Sequence, residues 1–149
     1  MNESQRYCTF EVEDLFLGVE VSTVQEVIRH QQMTRIPLAP RAVEGLINLR
    51  GKIVTAVDLR TRMQLGPRPE GSLPMNVVVH NGEGTVSLLV DRIGDVIEVE
   101  PATVDAPPPT LQGRARELIR GVYKLDDRLL LILDVGKAAA VGCADAVAS

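Results

Sequence analysis

The stretch that decides the fold is Gly45-Leu46-Ile47-Asn48-Leu49-Arg50-Gly51-Lys52-Ile53-Val54-Thr55-Ala56-Val57-Asp58-Leu59-Arg60. Two apolar runs flank Arg50-Gly51. Glycine at that point takes the positive φ that a tight hairpin turn demands. Leu46 to Val57 is therefore predicted as a β-hairpin. Asp58 stops the second strand, and its carboxylate is placed to accept from the free N–H groups of a short helix over Leu59–Met63. A strand, a two-residue turn, a strand and a capped helical turn make a compact β unit.

The same grammar extends outward. Cys8, Phe10 and Val12 alternate with Thr9 and Glu11. After the polar break Glu13-Asp14, Leu15, Leu17, Val19 and Val21 alternate again, so residues 7–21 read as an antiparallel hairpin. Val21, Val24, Val27 and Ile28 then fall at helical spacing. Ser22 with Gln25, and Thr23 with Glu26, both fit a capping box, which predicts a short helix starting near Ser22. Pro37 and Pro40 bracket a loop, and Arg41–Glu44 is expected to form one helical turn. Residues 66–74, GPRPEGSLP, are the clearest linker.

Beyond the linker, Asn76–His80 and Val86–Val90 are predicted strands around a turn at Asn81–Gly84. Asp91 is expected to cap a helical turn carrying Ile93, Val96 and Ile97. Residues 101–109 form a second proline-rich loop. Gly121–Leu133 reads as a hairpin turning at Asp126-Asp127, and Asp134 as the cap of a terminal helix. Residues 141–149 read as a flexible tail.

The two halves are similar to each other. When Glu26 is set against Asp95, Val21 meets Val90, Val24 meets Ile93, Val27 meets Val96 and Ile28 meets Ile97. When Asp58 is set against Asp134, Gly45 meets Gly121, Leu49 meets Leu125 and Leu59 meets Val135. Two copies of a small β unit are each too small for a large core, so they should pack together and share apolar surface. The groove between them is then a natural binding site.

Bulk composition narrows the function. The chain has 149 residues, 45% hydrophobic and 24% charged, with two Phe, two Tyr and no Trp. The core must be aliphatic, and Val favours strands. A net charge of −4 and scarce aromatics speak against a nucleic-acid-binding barrel, which is the alternative reading of a small β module. No apolar run reaches the roughly 20 residues that a membrane span needs. The two cysteines, Cys8 and Cys143, make no disulfide framework, and a reducing cytoplasm is the expected compartment. His30 and His80 stand far from each other, and neither has a cysteine at ligand spacing. No phosphate loop or nucleophile elbow is present. A non-enzymatic module without metal or cofactor is expected.

Several segments together resemble the CheW family. They are Thr34-Arg35-Ile36-Pro37-Leu38-Ala39-Pro40, Glu44 through Val54, Val57-Asp58-Leu59-Arg60, Val24-Gln25-Glu26-Val27-Ile28 and Leu89-Val90-Asp91-Arg92-Ile93. Thr55 departs from a proline common in the family. The resemblance runs from about Arg6 to Ala140. It implies a mainly β fold of two small five-stranded SH3-like β-barrels packed around a shared apolar core, with short helices. That gives one domain over 6–140, with lobe one at about 6–70 and lobe two at about 74–140, possible exchange of terminal segments being left open. It further implies a cytoplasmic adaptor that couples chemoreceptor cytoplasmic tips to the CheA histidine kinase, through the kinase's own CheW-like regulatory domain. Neither nucleic acid nor membrane insertion enters that role.

The matching positions give two candidate surfaces. Val21, Val24, Glu26 and Ile93 form a candidate receptor-binding groove. Ile47, Asn48, Leu49 and Arg50 form a candidate kinase- or receptor-binding hairpin. Glu26 and Arg50 are expected to lie close together if the helix after the first hairpin packs beside the second hairpin's turn. Val24 and Ile93, equivalent in the duplication, are expected to face each other. Val21, Val24 and Ile93 have core packing as their plain alternative; Ile47, Asn48 and Leu49, if exposed at a barrel end, give an apolar patch for a like-folded kinase domain, and Asn48 can instead satisfy the turn backbone. Gly45, Gly51 and Asp58 are assigned to the fold.

Overall fold

A computed structural model describes residues 5–29, 32–39, 41–80, 84–99, 104–105 and 113–139. The chain is mainly β, as expected. Its strands are β1 (Gln5–Val12), β2 (Leu15–Glu20), β3 (Val24–Ile28), β4 (Val43–Leu49), β5 (Lys52–Asp58), β6 (Met75–His80), β7 (Thr85–Val90), β8 (Arg92–Val99), β9 (Val104–Asp105), β10 (Ile119–Lys124) and β11 (Leu129–Leu133). Three short helices accompany them: α1 (Leu59–Arg62), α2 (Gly113–Glu117) and α3 (Val135–Ala139). Among the described residues no helix is long and apolar enough to cross a membrane.

The strands form two sheets of matching order. One runs β8-β1-β2-β11-β10, with the two-residue β9 added at its edge. The other runs β3-β6-β7-β5-β4. Each is an antiparallel hairpin joined by one parallel pairing, β2 with β11 and β7 with β5, to a second hairpin. The first hairpin, β1-β2, lies in the sheet of β8, β10 and β11. The hairpin β6-β7 lies in the sheet of β3, β4 and β5. The duplication read from sequence therefore has a structural counterpart in which the halves trade hairpins.

The details repeat as well. A bulge interrupts β4 between Val43 and Gly45, and another interrupts β10 between Ile119 and Gly121, at aligned positions. The Asp58 N–H donates to the Ala42 carbonyl, and the Asp134 N–H donates to the Leu118 carbonyl. Both aspartates cap as expected. Asp58 accepts from the Arg60 N–H at 3.0 Å and Asp134 from the Lys137 N–H at 3.0 Å.

Three expectations fail. The helix predicted from Ser22 is a single 3-10 turn, Val21–Thr23, followed by strand β3. The helical turn predicted at Arg41–Glu44 gives way to strand β4 from Val43. The helical turn predicted after Asp91 is strand β8. In each case a bulge displaces the period of two: beside Val24–Glu26 in β3, beside Val43–Gly45 in β4, and opposite Cys8–Phe10 in β8. Apolar residues then fall at three- and four-residue spacing while the backbone stays extended. Helix α2 had no counterpart in the sequence reading. The turn at Asn81–Gly84 (apart from Gly84), most of the 101–109 loop and the tail lie outside the described residues.

One apolar cluster draws on both sheets. Phe10, Leu17 and Val19 come from β1-β2, Val57 from β5, Leu88 from β7 and Leu131 and Leu133 from β11, with Leu59, Ala115 and Ala138 from the three helices. Each such large side chain contributes about 1.5–3 kcal/mol when fully buried. This shared core fixes how the two sheets sit, and so where their surface strands lie.

Candidate interaction surface

The hairpin β4-β5 presents its turn to solvent. Arg50 has φ 53° and Gly51 φ 86°, so both turn residues are left-handed, which matches the right-handed twist of the strands. The Asn48 side-chain oxygen accepts from the Gly51 N–H at 2.9 Å. Asn48 therefore braces the turn on which Arg50 sits.

Arg50 meets Glu26 of β3. Its Nη1 lies 3.2 Å from Glu26 Oε2, and its Nη2 donates to Oε1 at 3.2 Å. β3 and β4 are the two outer strands of a five-stranded sheet. In a flat sheet they would stand roughly 19 Å apart at about 4.8 Å per step. The ion pair thus reports a sheet curled until its outer strands approach each other. The hydrogen bonds between Thr34 and Leu46, 2.9 and 2.8 Å, close the same gap. Arg50 is 82% exposed and Glu26 23%. Such an exposed pair contributes about 0–1 kcal/mol, so the fold has little need of it.

The remaining candidates divide. Leu49 is half-buried beside Arg50. Ile47 is buried, packed with Val54, Ala56 and Leu89, and is not part of an exposed apolar patch. Its place on the inward face of β4 follows from strand alternation; Ile53, across the hairpin, is the exposed isoleucine. Val21 is half-buried in the 3-10 turn, and Val24 leans on the main core. Ile93 is exposed on β8. Val24 and Ile93 occupy equivalent edge strands of different sheets, and those strands are not hydrogen-bonded to each other. His30 and Cys143 lie outside the described residues. Cys8 is half-buried, and burial pushes its thiol pKa up.

A second charged assembly was not anticipated. Arg60 on α1 donates from Nε and Nη2 to Asp91, the latter at 2.6 Å, and from Nη1 to the Gly66 and Pro67 carbonyls. Arg68 donates to Asp91 at 3.1 Å and to Asp58 at 3.2 Å. Asp91 also accepts from the Glu13 N–H at 2.6 Å. The network ties α1, the 66–68 loop, the β1-β2 turn and the end of β7 together. Burial pushes the Asp91 carboxyl up. The Arg60 hydrogen bond, the Glu13 N–H and the charges of Arg60 and Arg68 outweigh that, and hold it below the usual carboxylate range. The hydrogen bond to Asp91 raises Arg60 against its own burial. The available sequence signal was the recurrence of a strand-ending aspartate, at Asp58 and Asp91, with arginines close behind each.

Two curled sheets of matching order, sharing one core and displaying a braced cationic turn, define a duplicated-barrel interaction module. The family model described as CheW-like domain matches residues 6–141, and the chain belongs to that family of chemotaxis scaffold proteins. It is 30% identical over 140 residues to a chemotaxis protein CheW of Treponema pallidum, covering 91% of this chain and 82% of the relative. It is 28% identical over 133 residues to a chemotaxis protein CheW of Klebsiella aerogenes, covering 89% and 80%. The crystal structure of a scaffolding protein, TtCheW of Thermoanaerobacter tengcongensis, superposes with a TM-score of 0.78 at 28% identity, over 88% of this chain and 84% of that one.

Proposed function

We propose that this chain is a non-enzymatic adaptor that couples the cytoplasmic tips of chemoreceptors to the CheA histidine kinase. The observation that carries the reading is the placement of Arg50. It stands on a turn braced by Asn48 and is steered by Glu26, yet it is almost fully exposed. A charge held in one orientation at the surface, with little value to stability, suits recognition of a partner. Leu49 supplies apolar contact beside it. Val21, Val24 and Ile93, with Glu26, form the proposed receptor groove, where a partner helix lays an apolar stripe. Ile47 supports the hairpin from the core side. The module acts as one domain over 6–140, in the cytoplasm, recruited to receptor arrays. The test is co-sedimentation of the purified chain with CheA and receptor-bearing membranes. The adaptor reading expects a ternary complex and raised kinase activity. Absence of both at micromolar protein overturns it.

A further inference from the structure

The chain carries a net charge of −4, yet one concave region of its surface has the opposite sign. A cleft of about 680 Å³ opens beside α1 and the 66–68 loop. Arg41, Arg60, Arg62, Arg68 and Arg114 line it, and Asp58 is the single carboxylate among its lining residues. Its volume lies in the range of small-molecule sites, roughly 300–1,000 Å³.

The guanidiniums are arranged in two tiers. Arg60 and Arg68 form the floor and are locked by the Asp58–Asp91 network. Arg60 spends its donors on Asp91 and on two carbonyls, whereas Arg68 uses Nε and Nη2 for the carboxylates. Its Nη1 group makes no hydrogen bond to any described residue. Around this floor stand Arg62 from the last position of α1, Arg41 from the segment before β4 and Arg114 from α2. Arg62 is anchored by an Nη2 bond to the Lys137 carbonyl at 2.9 Å. Arg41 has no carboxylate within ion-pair distance among the described residues, and Arg114 has only an exposed Glu117 at 3.9 Å.

We infer that this cleft binds a small, multiply charged oxyanion of the phosphate type. Planar guanidinium forks match phosphate oxygens two at a time, and forks converging from several segments suit a compact polyanion. The floor is already ordered, so little conformational freedom is lost on binding. A long nucleic acid fits poorly, because the rest of the acidic surface repels it and no aromatic ring lines the cleft. The cleft joins α1, which follows the β4-β5 hairpin, to α2, which precedes β10 in the other sheet. A bound anion would therefore strengthen the junction between the two sheets. This inference does not depend on the adaptor reading.

The test is titration with inorganic pyrophosphate, and separately with orthophosphate, at ionic strength held constant with sodium chloride. Binding is read by calorimetry and by the thermal midpoint. A saturable rise in midpoint is expected, with pyrophosphate binding at least tenfold tighter than orthophosphate. The double variant Arg41→Ala/Arg114→Ala should weaken pyrophosphate binding tenfold or more while keeping its unliganded midpoint, because neither residue belongs to the buried network. Should the double variant fail to fold, exposed Arg41→Ala alone is titrated in the same way, and a loss of at least threefold is expected. A response no larger than that to chloride, or unchanged affinity in the variants, overturns the site. Length-dependent binding of an oligonucleotide more tightly than pyrophosphate also overturns it.

Discussion

The ion pair Glu26–Arg50 and the network Asp58–Arg68–Asp91–Arg60 use the same chemistry in opposite settings. Arg50 is 82% exposed, whereas Arg60 and Arg68 are 9% and 15% exposed. The first pair spans two outer strands at a turn, and water screens it. The second sits where a helix, a loop and a strand end converge, and each carboxylate oxygen there has a donor. Burial makes a charge costly unless it is paired. The network is consequently tied to the fold, while the exposed pair is free to serve a partner.

The largest effect should come from breaking the network. Asp91→Ala leaves two buried guanidiniums without their shared acceptor and frees the Glu13 N–H. A loss of about 3–5 kcal/mol is expected from equilibrium urea unfolding. A loss below about 1 kcal/mol would place the network among the dispensable surface pairs. The pH dependence sharpens the same point. Asp91 is held below its ordinary value, so its contribution is full above the unfolded carboxylate pKa of about 3.9 and is lost as pH falls through the lower folded value. Stability of the parent should therefore drop on acidification below about pH 4, and Asp91→Asn should flatten that drop. Equal slopes in both proteins would assign the acid limb to other carboxylates.

A smaller effect tests the backbone that carries the exposed pair. A Cβ on Gly45 would meet the Thr34 carbonyl oxygen at 2.7 Å, inside the bridge that brings the segment after β3 against β4. Gly45→Ala should cost about 1–3 kcal/mol, because a main-chain carbonyl cannot rotate aside. A thermal midpoint unchanged from the parent would mean that the bridge yields freely. Asn48→Ala removes the acceptor for the Gly51 N–H in a solvated turn. It should cost about 0.5 kcal/mol, and amide exchange at Gly51 should quicken. Unaltered exchange there would show that the turn holds itself.

The sequence and the structure part company in an orderly way. The hairpin β1-β2, and β4-β5 beyond the Val43–Gly45 bulge, are legible because side-chain period and turn chemistry agree there. The sequences of β3 and β8 look helical because a bulge in each shifts the apolar residues from a period of two to steps of three and four. Both strands are also sheet edges, with exposed residues such as Val27 and Val96 that blur alternation further. Glu26 and Arg50 meet even so, but not through the helix on which the expectation depends: Glu26 lies on strand β3, and the curled sheet brings it to the turn. Ile47 joins a surface patch only if the hairpin stands exposed at a barrel end, and strand alternation alone separates it from Asn48 and turns it inward. The Arg60–Asp91 network is invisible because its members meet only through the parallel pairing of β5 with β7 within one sheet. No local spacing records a contact across 31 residues of chain.

The smallest stability effect should fall on the exposed pair, where the largest functional effect is expected. Arg50→Ala should change unfolding free energy by less than about 1 kcal/mol and still weaken assembly with CheA and receptor. If Arg50 and Glu26 act only by steering each other, the exchanged variant Glu26→Arg/Arg50→Glu restores the pair and should restore assembly. If Arg50 itself touches the partner, the exchange presents a carboxylate where a guanidinium is read, and assembly should fall further than in Arg50→Ala. The surface reading of this hairpin predicts the second result. Restoration by the exchange would instead make the pair a structural clasp, an exposed and weaker counterpart of the buried network.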